Sequence, residues 1–127
     1  MGKILSVIET AYRGTLEEQD DTSIWFTHIL KNSGAEVSIL LKSNAVNYAV
    51  KGQNAAGLEF GGNPVPRFPR IEQDLVKMIE QAVPVYLIQE DIQDRGIADA
   101  ELISGIRVIS NSKLAQLFGE FDKIWHW

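Results

Sequence analysis

Four short apolar runs in this sequence each end in residues able to do chemistry. Glu9 and Thr10 follow KILSVI, Ser43 and Asn44 follow VSILL, Gln89, Glu90 and Asp91 follow VPVYLI, and Ser110 and Asn111 follow IRVI. In an open α/β sheet, ligands bind outside the carboxyl ends of the strands, so this placement nominates them together. Glu9 and Glu90 end different runs. If those runs are neighbouring strands, the two carboxylates repel, one of them holds its proton longer, and the pair suits general acid–base work. If not, both are solvated strand ends, which is the commoner case. Tyr12, with Arg13 and Gly14 beside it, follows the first run, and an Arg next to glycine can bind an oxyanion. Arg95-Gly96 offers a second such cation, although Asp91 and Asp94 are within reach as structural partners, and that pairing is the expectation. One functional reading is therefore a small-molecule crevice lined by Glu9, Tyr12, Asn44, Gln89, Glu90 and Asp91. Arg67, with Phe60 and Phe68, would form its lid.

Other chemistry is excluded by what the chain lacks. It has no cysteine, which removes thiolate nucleophiles, thiolate metal sites and disulfides. Its two histidines, His28 and His126, are too few for a His-rich metal site. No GxGxxG, GxxxxGK[ST] or GxSxG pattern occurs, so neither nucleotide phosphates nor a serine elbow is indicated. No cofactor and no metal are expected. A net charge of −5 disfavours direct nucleic-acid binding, which needs clustered Lys and Arg. No apolar run approaches the ~20 residues of a membrane span, and the N-terminus lacks a signal-peptide layout. A cytoplasmic protein of one domain is expected over residues 1–127. A chain of 127 residues buries enough surface for one core without covalent staples.

The elements that must position these residues alternate. Lys3–Ile8, Val37–Leu41, Val83–Ile88, Ile106–Ile109 and Lys123–Trp127 have the β-rich, apolar character of strands. Helical spacing covers Asp20–Ser33, with Trp25, Phe26, Ile29 and Leu30 as its apolar stripe and Gly34 just past its end. A short helix over Asn44–Val50 is expected to be capped by Ser43 or Asn44. Ile71–Ala82 places Ile71, Leu75, Met78, Ile79 and Ala82 on one face. Further helices are expected over Asp91–Gly105 and after a cap at Asn111 or Ser112. Residues 51–70 hold four of the ten glycines and three of the four prolines. That segment is a long loop, either functional or else a solvated surface excursion or a subunit contact. Strands alternating with helices predict a three-layer α/β/α domain around a mostly parallel sheet of about five strands.

Two features hint at self-association. His28 shares a face with Ile24 and Lys31 off the apolar stripe, which predicts an outward Ile24 set against another subunit. Trp125 and Trp127 load one side of the last strand, and tryptophan is enriched at interfaces. A solvated His28 is the equal alternative for the first, and core packing is the simpler account of the tryptophans.

In order and spacing, the motifs KILSVIET, KNSGAEVSILL, SNAVNYAV, VPVYLIQEDIQDRGI, ELISGIRVIS and LAQLFGEFDKIWHW resemble the DsrE/DsrF/TusD family. The likeness covers nearly the whole chain and is weakest over 51–70. It implies a compact DsrE-like α/β/α domain that assembles as dimers, trimers or hexamers, with copies of itself or with a DsrE- or TusA-type protein. Several members carry persulfide sulfur on a cysteine near the end of the third strand and pass it along a relay. Counted back from Arg95-Gly96, that cysteine would fall near Ile88, or in a second variant near Asp91, and neither position holds a thiol. The resemblance thus implies a cysteine-free, non-catalytic subunit or interaction partner in sulfur-related assemblies.

Overall fold

The structure is a computed structural model and describes residues 2–11, 22–53, 59–64 and 71–127. Five strands form the main sheet: β1 (Lys3–Ile8), β2 (Glu36–Leu41), β5 (Val85–Ile88), β6 (Arg107–Ile109) and β7 (Lys123–His126). Their order is β6-β5-β2-β1-β7, and every neighbouring pair is parallel. The central strands β1, β2 and β5 read as near-continuous apolar runs because both sheet faces are covered. In β1, Ile4 and Ile8 belong to one core cluster, and Leu5 and Val7 to another.

The first face is the larger. Helices α1 (Thr22–Asn32) and α2 (Ile71–Glu80), with a 3-10 segment over Ser43–Ala49, bury Ile24, Leu75, Met78, Ala45 and Val46 against Ile39, Leu41, Val85 and Leu87. The second face is covered by α4 (Leu114–Gly119), whose Leu117 packs on Leu5, Val7, Leu40 and Ile88. Three layers follow, as the alternation of elements requires. No helix among the described residues is long and apolar enough to cross a membrane.

Several boundaries differ from the sequence expectation, each for a local reason. The segment after Asn44 is a 3-10 turn rather than an α-helix. Lys42, not Ser43 or Asn44, precedes it, with no side-chain cap. The segment after β5 is only α3 (Gln89–Asp94). Gly96 takes φ +67° there, the N–H of Ile97 donates to the carbonyl of Ile92, and the helix closes instead of running to Gly105. Residues 97–103 return to buttress the 3-10 segment. The N–H of Lys51 donates to Glu101 (2.8 Å) and that of Ile103 to Ala49 (2.8 Å). Asn111–Lys113 forms a 3-10 turn ahead of α4, again without a side-chain cap. Within 51–70, β3 (Glu59–Phe60) and β4 (Asn63–Pro64) make a small antiparallel hairpin.

The stripe of α1 also differs. Ile24, expected to face outward, is 2% exposed in the main core, while Ile29, expected inside, is 40% exposed. The inward residue that displaces the expected stripe is Thr27, 1% exposed. Its hydroxyl lies 3.0 Å from Ser6 Oγ, so a polar residue can face the core without an orphaned group. Ile24 is therefore no part of a free surface. Phe26 instead faces the edge of the sheet, stacked on Trp125 with centroids 5.3 Å apart and edge-on to Trp127 at 5.8 Å.

Candidate functional site at the carboxyl ends of the strands

The strands deliver their terminal residues to one edge of the sheet, and sheet order sorts them into groups. Because β2 lies between β1 and β5, Glu9 and Glu90 end strands that are not adjacent. The two carboxylates do not form an acid–base pair.

Glu9 belongs to a group over β7, β1 and β2. Its Oε1 lies 3.3 Å from Lys42 Nζ and 3.4 Å from His126 Nε2. These three side chains are partly exposed, and such pairs contribute little in water. Their value is positional, since they tie the ends of three strands together. Lys42 and His126 were not among the sequence candidates for this crevice. Their meeting depends on β7 returning to lie beside β1, which no local pattern reveals.

The second group lies over β2 and β5. Asp91 Oδ2 accepts the N–H of Ser43 at 2.8 Å, and its Oδ1 is 4.0 Å from Arg95 Nη1. Arg95 Nε donates to Asn44 Oδ1 at 3.0 Å, and Nη1 to the backbone carbonyl of Asp91 at 3.3 Å. The Arg95–Asp91 pairing expected from the sequence is thus present. Ser43 adopts φ +51°, a left-handed conformation that costs energy for any residue with a side chain. The charge-assisted bond to Asp91 holds it there. This group joins Ser43, Asn44, Asp91 and Arg95, all four singled out in the sequence. The left-handed turn at Ser43 leaves no mark in the sequence.

The third group bridges β5 and β6. Glu90 Oε2 accepts the N–H of Asn111 at 2.8 Å, and Ser110 Oγ lies 2.6 Å from Ser112 Oγ. Here the chain leaving β5 covers the first face and the chain leaving β6 the second, so connections diverge as at a topological switch point. Gln89 is exposed beside it, while Ile88, the last residue of β5, is fully buried.

The remaining sequence candidates divide. Tyr12 and Arg67, with Phe68, lie outside the described residues. His28 is half-buried on α1. Trp125 and Trp127 are half-buried against Phe26 and the main core, and Trp127 Nε1 donates to Ser6 Oγ at 2.9 Å. Among the described residues no group of three His, Cys, Asp or Glu side chains is placed to hold a metal ion.

No protein-family model and no curated protein matches the sequence. Solved structures do. The chain is similar to the YchN protein from E. coli, with a TM-score of 0.74 and 27% identity over 100% of both chains. It is also similar to MTH1491 of Methanobacterium thermoautotrophicum, a protein of unknown function. There the TM-score is 0.65 and the identity 14%, over 97% of each chain. The fold is therefore YchN-like along the whole length, in keeping with the DsrE-like architecture implied by the sequence resemblance.

Proposed function

We propose that this protein is a cysteine-free, self-associating member of the DsrE-like group that serves as a non-catalytic subunit or interaction partner in sulfur-related assemblies. One observation carries the reading. The segment Ile88–Asp91, where the resemblance places a sulfur-carrying thiol, is committed to holding the fold. Ile88 is buried with no side-chain exposure, Glu90 receives the N–H of Asn111, and Asp91 receives the N–H of Ser43. A carrier needs an accessible thiolate. Here the corresponding side chains are a buried hydrocarbon and two engaged carboxylates, with Gln89 exposed but unable to bond sulfur covalently. The resemblance supplies the sulfur-related setting, and the aromatic load of Phe26, Trp125 and Trp127 at a sheet edge favours assembly.

Size-exclusion chromatography with light scattering tests the first half of this reading. The expected result is an oligomer, and a strict monomer at high concentration overturns self-association. Affinity capture with the native chain tests the second half. Recovery of a cysteine-bearing DsrE- or TusA-type protein is expected. Capture of a small metabolite at the strand ends, with stabilisation lost in Glu90→Ala, would favour the crevice reading instead.

A further inference from the structure

We infer that the outer edge of β7 is a two-fold interface at which a second copy of this chain pairs antiparallel, centred on Trp125. This names the surface for the self-association proposed above and rests on that reading.

The inference starts from which backbone groups of β7 are already used. The N–H of Trp127 donates to Val7 O at 3.0 Å, and its carbonyl accepts from the N–H of Glu9 at 3.4 Å. The alternate residue of β1 points the other way: Ile8 O accepts from Lys42 on the β2 side at 3.0 Å. Backbone groups in a parallel ladder alternate with period two, and β7 pairs with β1 in continuous register from Lys123 to His126. Lys123, Trp125 and Trp127 therefore bond inward to β1. The N–H and C=O groups of Ile124 and His126 face away from the sheet. Among the described residues no strand pairs with that side.

Such an edge is a template for another strand, and natural edges are commonly blunted by short length, lysine, proline or a bulge. KIWH is short and carries Lys123, but it has no proline and keeps continuous register with β1 from Lys123 to His126. Ile124 is 39% exposed on it.

Self-pairing has one register that satisfies these groups. In an antiparallel pair, residues whose N–H and C=O both face the partner sit opposite one another. A two-fold axis at Trp125 sets Ile124 against His126 of the second copy and His126 against Ile124. All the outward groups of both copies are then paired. An axis at Ile124 would bring His126 against Asp122, whose N–H already donates to Lys3 O at 2.9 Å.

The chosen register makes Trp125 face its own symmetry mate as a non-hydrogen-bonded pair, with Cα atoms about 4.5 Å apart, where large side chains pack best. Lys123 falls opposite Trp127 of the second copy, a cation beside an aromatic ring. The two β1 strands would lie three strand spacings apart, about 14 Å. Because α1 packs on β2 as well as β1, the two α1 helices, roughly 10 Å across, would stand farther apart than that and leave a gap between them. Phe26, Trp125 and Trp127 of both copies stand at that gap. Two five-stranded sheets would become one of ten.

The absence of cysteine makes the test clean. A 1:1 mixture of Ile124→Cys and His126→Cys proteins, air-oxidised without denaturant, should give a disulfide dimer as the main product. Each variant alone should stay several-fold below it, since same-site Cα atoms would be about 8 Å apart, beyond disulfide reach. Both positions are exposed, so folding should survive. Trp125→Cys should cross-link to itself, and Val76→Cys on α2 should not. If light scattering shows an oligomer but the mixture cross-links no more than the single variants, this interface is wrong while self-association stands. A strict monomer overturns both.

Discussion

The centre of the sheet and its β7 edge treat their polar and apolar groups in opposite ways. At the carboxyl ends of β2 and β5, Asp91, Ser43, Asn44 and Arg95 satisfy one another, and the result is a closed, self-contained cluster. At β7, the backbone of Ile124 and His126 points outward and an aromatic group stands half-exposed above it. The place the resemblance marks for a thiol is thus filled with structure, while the outer edge of β7 pairs with no other strand among the described residues. The contrast teaches that the same sheet can close its polar groups on one another at the centre and leave backbone groups facing outward at an edge.

This contrast can be broken by measuring how much each region contributes to stability. The largest difference should come from the centre against the edge. Leu40, fully buried on β2, should cost about 3 kcal/mol as Leu40→Ala, while Ile124→Ala on the edge should cost under ~1 kcal/mol in the monomer. Urea denaturation at low protein concentration checks both, and an equal loss would mean that β7 is not an open edge. Next, Asp91→Ala should cost about 2 kcal/mol, because it strands the Ser43 N–H and leaves a left-handed residue unsupported. Glu90→Ala should cost less, since Glu90 is less enclosed. If both are neutral, the cluster is not holding the fold and the segment is free for a ligand.

A third effect, about 1–2 kcal/mol, should follow Ser6→Ala. Ser6 Oγ is the shared partner of Trp127 Nε1 and the Thr27 hydroxyl in a buried site. A tryptophan emission change on unfolding-free addition of quencher would show whether β7 has loosened as well. The smallest effects separate two helix ends of the same geometry. After α1, Gly34 has φ +91°, and Ala35 N–H donates to Leu30 O at 3.1 Å. After α2, Ala82 has φ +62°, and Val83 N–H donates to Met78 O at 2.9 Å. Only the second places a Cβ in the left-handed region. Gly34→Ala should destabilise by about 1 kcal/mol and Ala82→Gly should stabilise by a few tenths to about 1 kcal/mol, read as opposite shifts in Tm.

Much of the fold was legible because its signals are local. The apolar run VSILL and the 3.6-residue spacing of Ile71, Leu75 and Met78 announce their elements whatever surrounds them. Gly34 and the apolar periodicity ended α1 nearly where the structure ends it. The errors fell where a polar group found a distant partner. Thr27 faces the core because Ser6, twenty-one residues earlier, receives it, and this rotated the buried stripe of α1 and carried Ile24 inside. Ser43, Asn44 and Asp91 are legible as residues that follow strands, and Arg95 as a partner for Asp91, yet the bonds from Ser43 to Asp91 and from Arg95 to Asn44 span forty-eight and fifty-one residues of chain.

By itself the sequence determined that this is an α/β protein with no thiol chemistry of its own. Hydrophobic periodicity and the absence of a residue type hold in any conformation. Which strand lies beside which was decided only by the tertiary structure. By placing β2 between β1 and β5 it parted Glu9 from Glu90, and by returning β7 to β1 it joined Glu9 to His126. The physical reason is that pairing and burial are relations between segments. A side chain's partner is set by the packing of the whole sheet, and the residues that meet need carry no trace of one another in their own neighbourhoods.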